Sequence, residues 1–197
     1  MKEFWNERYA EEAYAYGQEA NDFIKAQQIG TGLKVLCLAE GEGRNAVYIA
    51  SLGNDVTCID YSQEGLQKTA RLAQMNGVQV TGICEDLSQT QLQQEHWDLI
   101  VGVFAHFPPH VKEHIWPQVF AALKSGGQLL MEVYDQEQLR FGTGGPQHLD
   151  LLYGKEELEA LLTKQFNSIQ IEKIYRDVHE GVYHNGAAAT LQVRALK

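Results

Sequence analysis

LKVLCLAEGEGRNAVYIA, residues Leu33 to Ala50, reads as a buried strand, a glycine turn and the start of a helix. Its opening run, Leu33 to Ala39, is almost unbroken in apolar residues, the pattern of a parallel strand covered on both faces. Gly41 and Gly43 then allow the positive φ of a sharp turn, and Asn45, Ala46, Ile49 and Ala50 begin a helix whose free N–H groups face that turn. Taken literally, Gly41-Glu42-Gly43-Arg44-Asn45-Ala46 matches the dinucleotide fingerprint G-x-G-x-x-G/A. The charges argue otherwise. Glu40 and Glu42 bracket the glycines, and at about 6 Å each carboxylate repels a pyrophosphate charge by roughly 3 kcal/mol at an effective dielectric near 20. A cationic ligand suits this turn, and S-adenosylmethionine carries a sulfonium and an ammonium beside its adenosine.

The next strand strengthens that reading. Asp55 to Asp60, DVTCID, ends on a carboxylate 17 residues after Gly43, a spacing that suits a ribose diol. A third strand, Val78 to Cys84, leads to Asp86, placed to accept from an adenine amino group. A fourth, Asp98 to Phe104, delivers Phe104-Ala105-His106 to the same side, and a fifth runs from Gln128 to Tyr134. Helices are expected between them over Ser62 to Asn76 and His110 to Lys124, so the chain repeats β-α-β units with parallel pairing. Gly41, Asp60, Asp86 and Phe104 all stand at carboxyl ends of strands, where such sheets bind ligands.

VLCLAEGEGRN, VTCID, ICEDL, WDLIVGVFAHF and LKSGGQLLMEVY, in that order, resemble the successive motifs of class I S-adenosylmethionine-dependent methyltransferases. FWNERYAEEAYAYG, FGTGGP and HEGVYHNG look closer to the small bacterial branch related to the tellurite-resistance and thiopurine methyltransferases. The resemblance implies a Rossmann-like α/β fold, a doubly wound seven-stranded sheet ordered 3-2-1-4-5-7-6 with strand 7 antiparallel, in one domain over residues 1–197. It implies a cofactor set of Trp5, Ala39, Glu40, Gly41, Gly43, Asn45, Asp60, Tyr61, Asp86, Leu87 and Phe104. The chain departs from the family pattern twice: Cys37 stands where the first strand usually carries an acid, and Ala39 where the turn has its first glycine.

Residues 2 to 30 are expected to be helical, broken at Gly17 before a second helix from about Asn21, with residues 1–30 folding as a lid that brings Trp5, Tyr9 and Tyr16 over the strand ends. His106, with a reference pKa near 6.5, is the candidate base. Tyr9, Tyr16, Tyr134, Arg140, His179 and His184 are candidate substrate contacts; Arg140 lies in the glycine-rich segment from Gln138 to Asp150, and His179 and His184 lie where two late alternating strands meet. Cys37, Cys58 and Cys84 read as buried reduced thiols, and His110 and His114 as solvated histidines, so no metal is expected. A formal charge of −10 with only 16 basic residues disfavours nucleic acid, and no apolar run approaches the roughly 20 residues of a membrane span. The expectation is a cytoplasmic methyltransferase acting on a small nucleophile. Its rivals are a nicotinamide-type dinucleotide protein and a regulator that binds the cofactor without turnover.

Overall fold

Apolar side chains alternate between two layers along the first strand: Val35 and Cys37 pack against Phe23, Ile24, Ala46 and Ile49, while Leu36 and Leu38 join Ile115, Val119 and Leu158. A strand with both faces buried belongs to the middle of a sheet. The computed structural model of the chain, which describes residues 2–197, places it there. The strands are β1 (Lys34–Leu38), β2 (Asp55–Asp60), β3 (Thr81–Cys84), β4 (Trp97–Val103), β5 (Leu123–Tyr134), β6 (Ser168–Glu180) and β7 (His184–Leu196). Their order is β3-β2-β1-β4-β5-β7-β6, parallel through the first five and antiparallel at β7.

The helices are α1 (Lys2–Ala10), α2 (Asp22–Lys25), α3 (Arg44–Ser51), α4 (Gln63–Met75), α5 (Pro109–Ala122) and α6 (Lys155–Leu162). None of them is long and apolar enough to cross a membrane. The Ser62 side chain caps α4 by accepting from Gly65 N–H at 3.2 Å. Because the order reverses between β1 and β4, their carboxyl ends open a crevice.

Three expectations need correction. The N-terminal segment is helical over less of its length: α1 ends at Ala10 and residues 11–21 run irregularly, although the second helix, α2, does begin after Asn21, which caps it. Their backbone is used in tertiary contacts instead, with Ala13 O accepting from Lys68 Nζ and Ala15 O from Val182 N–H, while Gly17 takes a φ of +74°. Cys84 is exposed, because β3 is an edge strand with little cover. Strand β5 starts at Leu123 rather than Gln128, since Gly126, at φ +78°, and Gly127 lie within the extended run instead of ending a helix before it.

Candidate active site

The turn after β1 is closed by its own carboxylates. Glu40 Oε1 accepts from Asn45 and Ala46 N–H, each at 2.8 Å, so the anion seat at the N-terminus of α3 is filled from within the chain. Burial pushes the Glu40 carboxyl up to about 7, against the pull of those N–H groups and of Arg44. Among the described residues, its Oε2 accepts no hydrogen bond. Asp60, at the end of β2, accepts from Gly41 N–H at 2.9 Å and Ser62 N–H at 2.8 Å, and burial raises its pKa as well. Glu42 turns the other way, into a buried ion pair with Lys68 Nζ at 2.8 Å.

Two strand ends carry backbone strain. Ala39 and Phe104, at the ends of the paired strands β1 and β4, both have a φ of +50°. A left-handed conformation costs a non-glycine residue roughly 1–2 kcal/mol, and such strain gathers where ligands are gripped. Gly43, at φ +90°, needs its missing side chain for a second reason: a Cβ there would lie 2.6 Å from Thr69.

Above the crevice the N-terminal segment and the β6–β7 turn form a clasp. A Cβ on Gly181 would lie 2.4 Å from Ala15 O, so only glycine permits that approach. Trp5, Tyr9 and Tyr16 lie with ring centroids 5.4 to 6.4 Å apart, and Tyr16 reaches His184 at 4.5 Å. Arg8 donates to Tyr16 OH at 2.8 Å and covers the Tyr183 ring at 4.2 Å. Below them, Phe104 stacks on Tyr134 at 4.5 Å, and His184 meets both edge-on. Gly144 and Gly145 lay the FGTGGP loop against the Tyr134 ring, where a Cβ on Gly145 would lie 2.6 Å from Cδ2.

A buried polar network supports this chamber. Arg176 binds Glu132 through Nε at 3.1 Å and Nη2 at 2.7 Å, and Asn21 Nδ2 bridges Glu132 and Glu180 at 2.5 and 2.9 Å. Arg44 Nη2 donates to Glu180 at 2.5 Å. Among the described residues, four buried side-chain polar atoms lack a partner, and two of them are Arg44 Nη1 and His184 Nδ1. His184 is 7% exposed and Arg44 6%, so neither atom is rescued by solvent.

The structure therefore gathers Trp5, Tyr16, Phe104, Tyr134 and His184 around one chamber and Ala39, Glu40, Gly41, Gly43 and Asp60 around the turn, with Tyr9 packed on Gly41, where a Cβ would lie 2.6 Å from its hydroxyl, and joining the two. Asn45 is buried beside the turn, where its side chain accepts from Asn21 N–H at 2.9 Å, while Tyr61 is half-buried and Leu87 buried past the ends of β2 and β3. Four further candidates are placed as follows. His106 is not free to act as a base: Nδ1 lies 3.0 Å from Leu151 O and Nε2 accepts from Tyr134 N–H at 3.2 Å, so both nitrogens serve the backbone. His179, on the edge strand β6, is exposed, and Arg140 is exposed as well. Asp86 is exposed and accepts from Ser88 N–H at 2.9 Å, which lowers its pKa. Arg8, Arg44, Lys68 and the Glu132–Arg176–Glu180 network escape sequence reasoning. A lone acid inside the apolar run LLMEVY was the available signal for the last.

Residues 35–127 match the family described as "Methyltransferase domain". The uncharacterized methyltransferase YbaJ of Bacillus subtilis is 34% identical over 102 residues, 50% of this chain and 39% of that protein. A probable S-adenosyl-L-methionine-dependent methyltransferase, TehB of Haemophilus influenzae, is 28% identical over 96 residues, 49% of this chain and 33% of its own length. The crystal structure of TehB from Haemophilus influenzae superimposes with a TM-score of 0.73 at 19% identity, over 100% of this chain and 66% of that one. The chain thus spans between a third and two-fifths of the length of these two curated relatives.

Proposed function

We propose that this chain, whose residues 35–127 carry a methyltransferase domain, is an S-adenosylmethionine-dependent methyltransferase that acts on a small nucleophile inside the aromatic chamber. The observation that carries this reading is Glu40 in the N-terminus of α3. A dinucleotide places its pyrophosphate on those N–H groups, and here two of them are already satisfied by a carboxylate that would also repel the phosphates. An acid-lined turn fits a cofactor that is cationic at sulfur and nitrogen.

Glu40, Gly41 and Asp60 hold that cofactor, with Tyr61 and Leu87 flanking its base and Trp5 and Phe104 its other end. S-adenosylmethionine, when bound, supplies an electrophilic methyl group on a sulfonium that leaves readily. The protein's work is then positioning and water exclusion rather than proton transfer. The clasp of residues 11–17 on Gly181 and Val182 closes the chamber, and Tyr16, Tyr134 and His184 orient the acceptor. Because His106 is committed to the backbone, the acceptor arrives as an anion or as a neutral nucleophile that loses its proton after transfer.

Calorimetric titration with S-adenosylhomocysteine and NAD tests the cofactor. Micromolar binding of the first and none of the second is expected, and tighter binding of NAD would overturn the reading. Methyl release from labelled cofactor, measured with thiols, amines, phenols and metalloid anions in turn, then identifies the acceptor; no release with any of them would favour a regulator that binds without turnover.

A further inference from the structure

We propose that the buried ion pair of Glu42 and Lys68 is a latch: it fastens the N-terminal segment over the glycine turn, so that the cofactor enters and leaves only when the pair parts. This latch presupposes the S-adenosylmethionine reading of the turn and adds the step that sets the rate of cofactor exchange.

The turn is roofed. Gly41 is buried under Tyr9, and Asp60 is 5% exposed. A ribose bound for Asp60 therefore has to pass the segment that carries Tyr9 and Tyr16. Helix α1 is tied to α4 where Ser62 Oγ donates to Asn6 at 2.7 Å. Residues 11–21 have no regular structure of their own, so side chains from elsewhere in the fold hold them.

Those side chains converge on one pair. Lys68 Nζ donates to Ala13 O at 2.6 Å and to Glu42 Oε1 at 2.8 Å, while Glu42 Oε2 accepts from Tyr16 N–H at 3.3 Å. Tyr14 donates to Lys68 O at 3.2 Å, and its ring centroid lies 5.1 Å from the ammonium. Glu42 itself belongs to the turn, between Gly41 and Gly43. One carboxylate thus joins the loop assigned to the cofactor to the backbone of its roof. Both charged side chains are 3% exposed beneath the segment they hold. Removing one ion leaves its partner buried and uncompensated, which costs far more than removing both. Lifting the segment returns both ions to water. The closed form therefore depends on the pair being whole, and loss of either ion favours the lifted form.

The test joins hydrogen exchange of the ligand-free chain to stopped-flow binding of S-adenosylhomocysteine, in the wild type, Glu42→Gln, Lys68→Met and the double variant. The amides of Tyr16, held by Glu42, and of Val182, held by Ala15 O, report on the roof. Each single variant should speed exchange at both amides by about 10-fold or more. Association and dissociation of S-adenosylhomocysteine should both quicken by about 10-fold and leave Kd within about threefold, because the pair is made in the free and the bound form alike. The double variant strands no charge, so its rates should lie nearer the wild type than those of either single variant. Gly181→Ala loosens the same segment at its far contact, Ala15 O, without touching the turn or the pair, and should also raise both rates. It decides alone if the ion-pair variants do not fold, and wild-type rates in it would then overturn the latch. Single variants with wild-type protection at Tyr16 and Val182 would overturn it too. So would faster dissociation with unchanged association, which would make the pair a support of the bound cofactor rather than a latch, and so would single effects that multiply in the double variant. A wild type that binds no S-adenosylhomocysteine would instead defeat the cofactor reading, with exchange at Tyr16 and Val182 still deciding whether the pair holds the segment.

Discussion

His106, in the loop after β4, and His184, at the start of β7, face the same ring of Tyr134, one stacked on it at 5.6 Å and the other edge-on at 5.3 Å. Both are held neutral by burial, His106 to a pKa of about 4 and His184 to about 3. They differ in what their nitrogens do. His106 joins Leu151 O to Tyr134 N–H and so ties the 149–152 segment to the end of β5. His184 has a buried Nδ1 with no partner, and the positive charges of Arg44, Arg8 and Arg176 add to its depressed pKa. One histidine has both nitrogens engaged by the backbone; the other has a buried nitrogen with no partner among the described residues. Satisfaction, rather than burial or pKa, separates a building histidine from a binding one.

The largest effect expected from this pair is acid sensitivity. Each imidazole ionises near 6.5 when unfolded but only near 4 or 3 when folded, so below pH 6.5 the unfolded chain binds more protons. Their contribution is complete above pH 6.5 and is lost as pH falls, at about 1.4 kcal/mol per unit for each histidine. Glu40 runs the opposite way. Its folded value of about 7 exceeds the unfolded 4.5, so the folded chain takes up a proton over that window and stability rises as pH falls. For these three groups the net is the loss of about one histidine's slope, roughly 3 kcal/mol between pH 6.5 and 4.5. Urea unfolding at stepped pH measures it, and a flat profile would show that the two rings are not both neutral in the fold.

His106→Leu should cost somewhat less, about 2 kcal/mol, because it strands the Leu151 carbonyl and the Tyr134 N–H. It should also remove one histidine's worth of acid slope. The midpoint of thermal unfolding at pH 7 reads the first effect, and a variant as stable as the wild type would show that water replaces both bonds.

Much of this arrangement was legible in the chain. The apolar run to Ala39 and the glycines after it place β1, the turn and α3, because strand burial and positive φ are local requirements written in residue type. Asp60 follows from the spacing to the next strand end. The order of the last two strands rests on resemblance, since an antiparallel insertion has no local signature. The roles of the two histidines were not legible at all. Whether an imidazole nitrogen meets Leu151 O, 45 residues away, or meets nothing, is decided by how distant loops pack. Glu42 teaches the same lesson: beside Glu40 in the turn it reads as a second pocket acid, yet it points at Lys68 and fastens the N-terminal segment by accepting from Tyr16 N–H at 3.3 Å.

The smallest effect on stability is expected where the effect on function is largest. His184→Phe replaces a buried ring that carries an unmet polar atom with an apolar ring of similar size. Removing a buried unsatisfied group is close to neutral or slightly favourable, so unfolding at pH 7 should move by less than about 0.5 kcal/mol. The variant should lose acid slope as His106→Leu does, because one neutral imidazole is gone from the fold. Phe104, Tyr134 and Tyr16 keep an aromatic neighbour, so the chamber stays lined. The nitrogen lost is the one assigned to the acceptor, and kcat/KM with the acceptor found in the methyl-release screen should fall by about 10- to 100-fold, the worth of one buried hydrogen bond made in the transition state. Affinity for S-adenosylhomocysteine should not change. A His184→Phe variant destabilised by several kcal/mol would mean that Nδ1 has a partner in solution, and His184 would then join His106 as part of the frame.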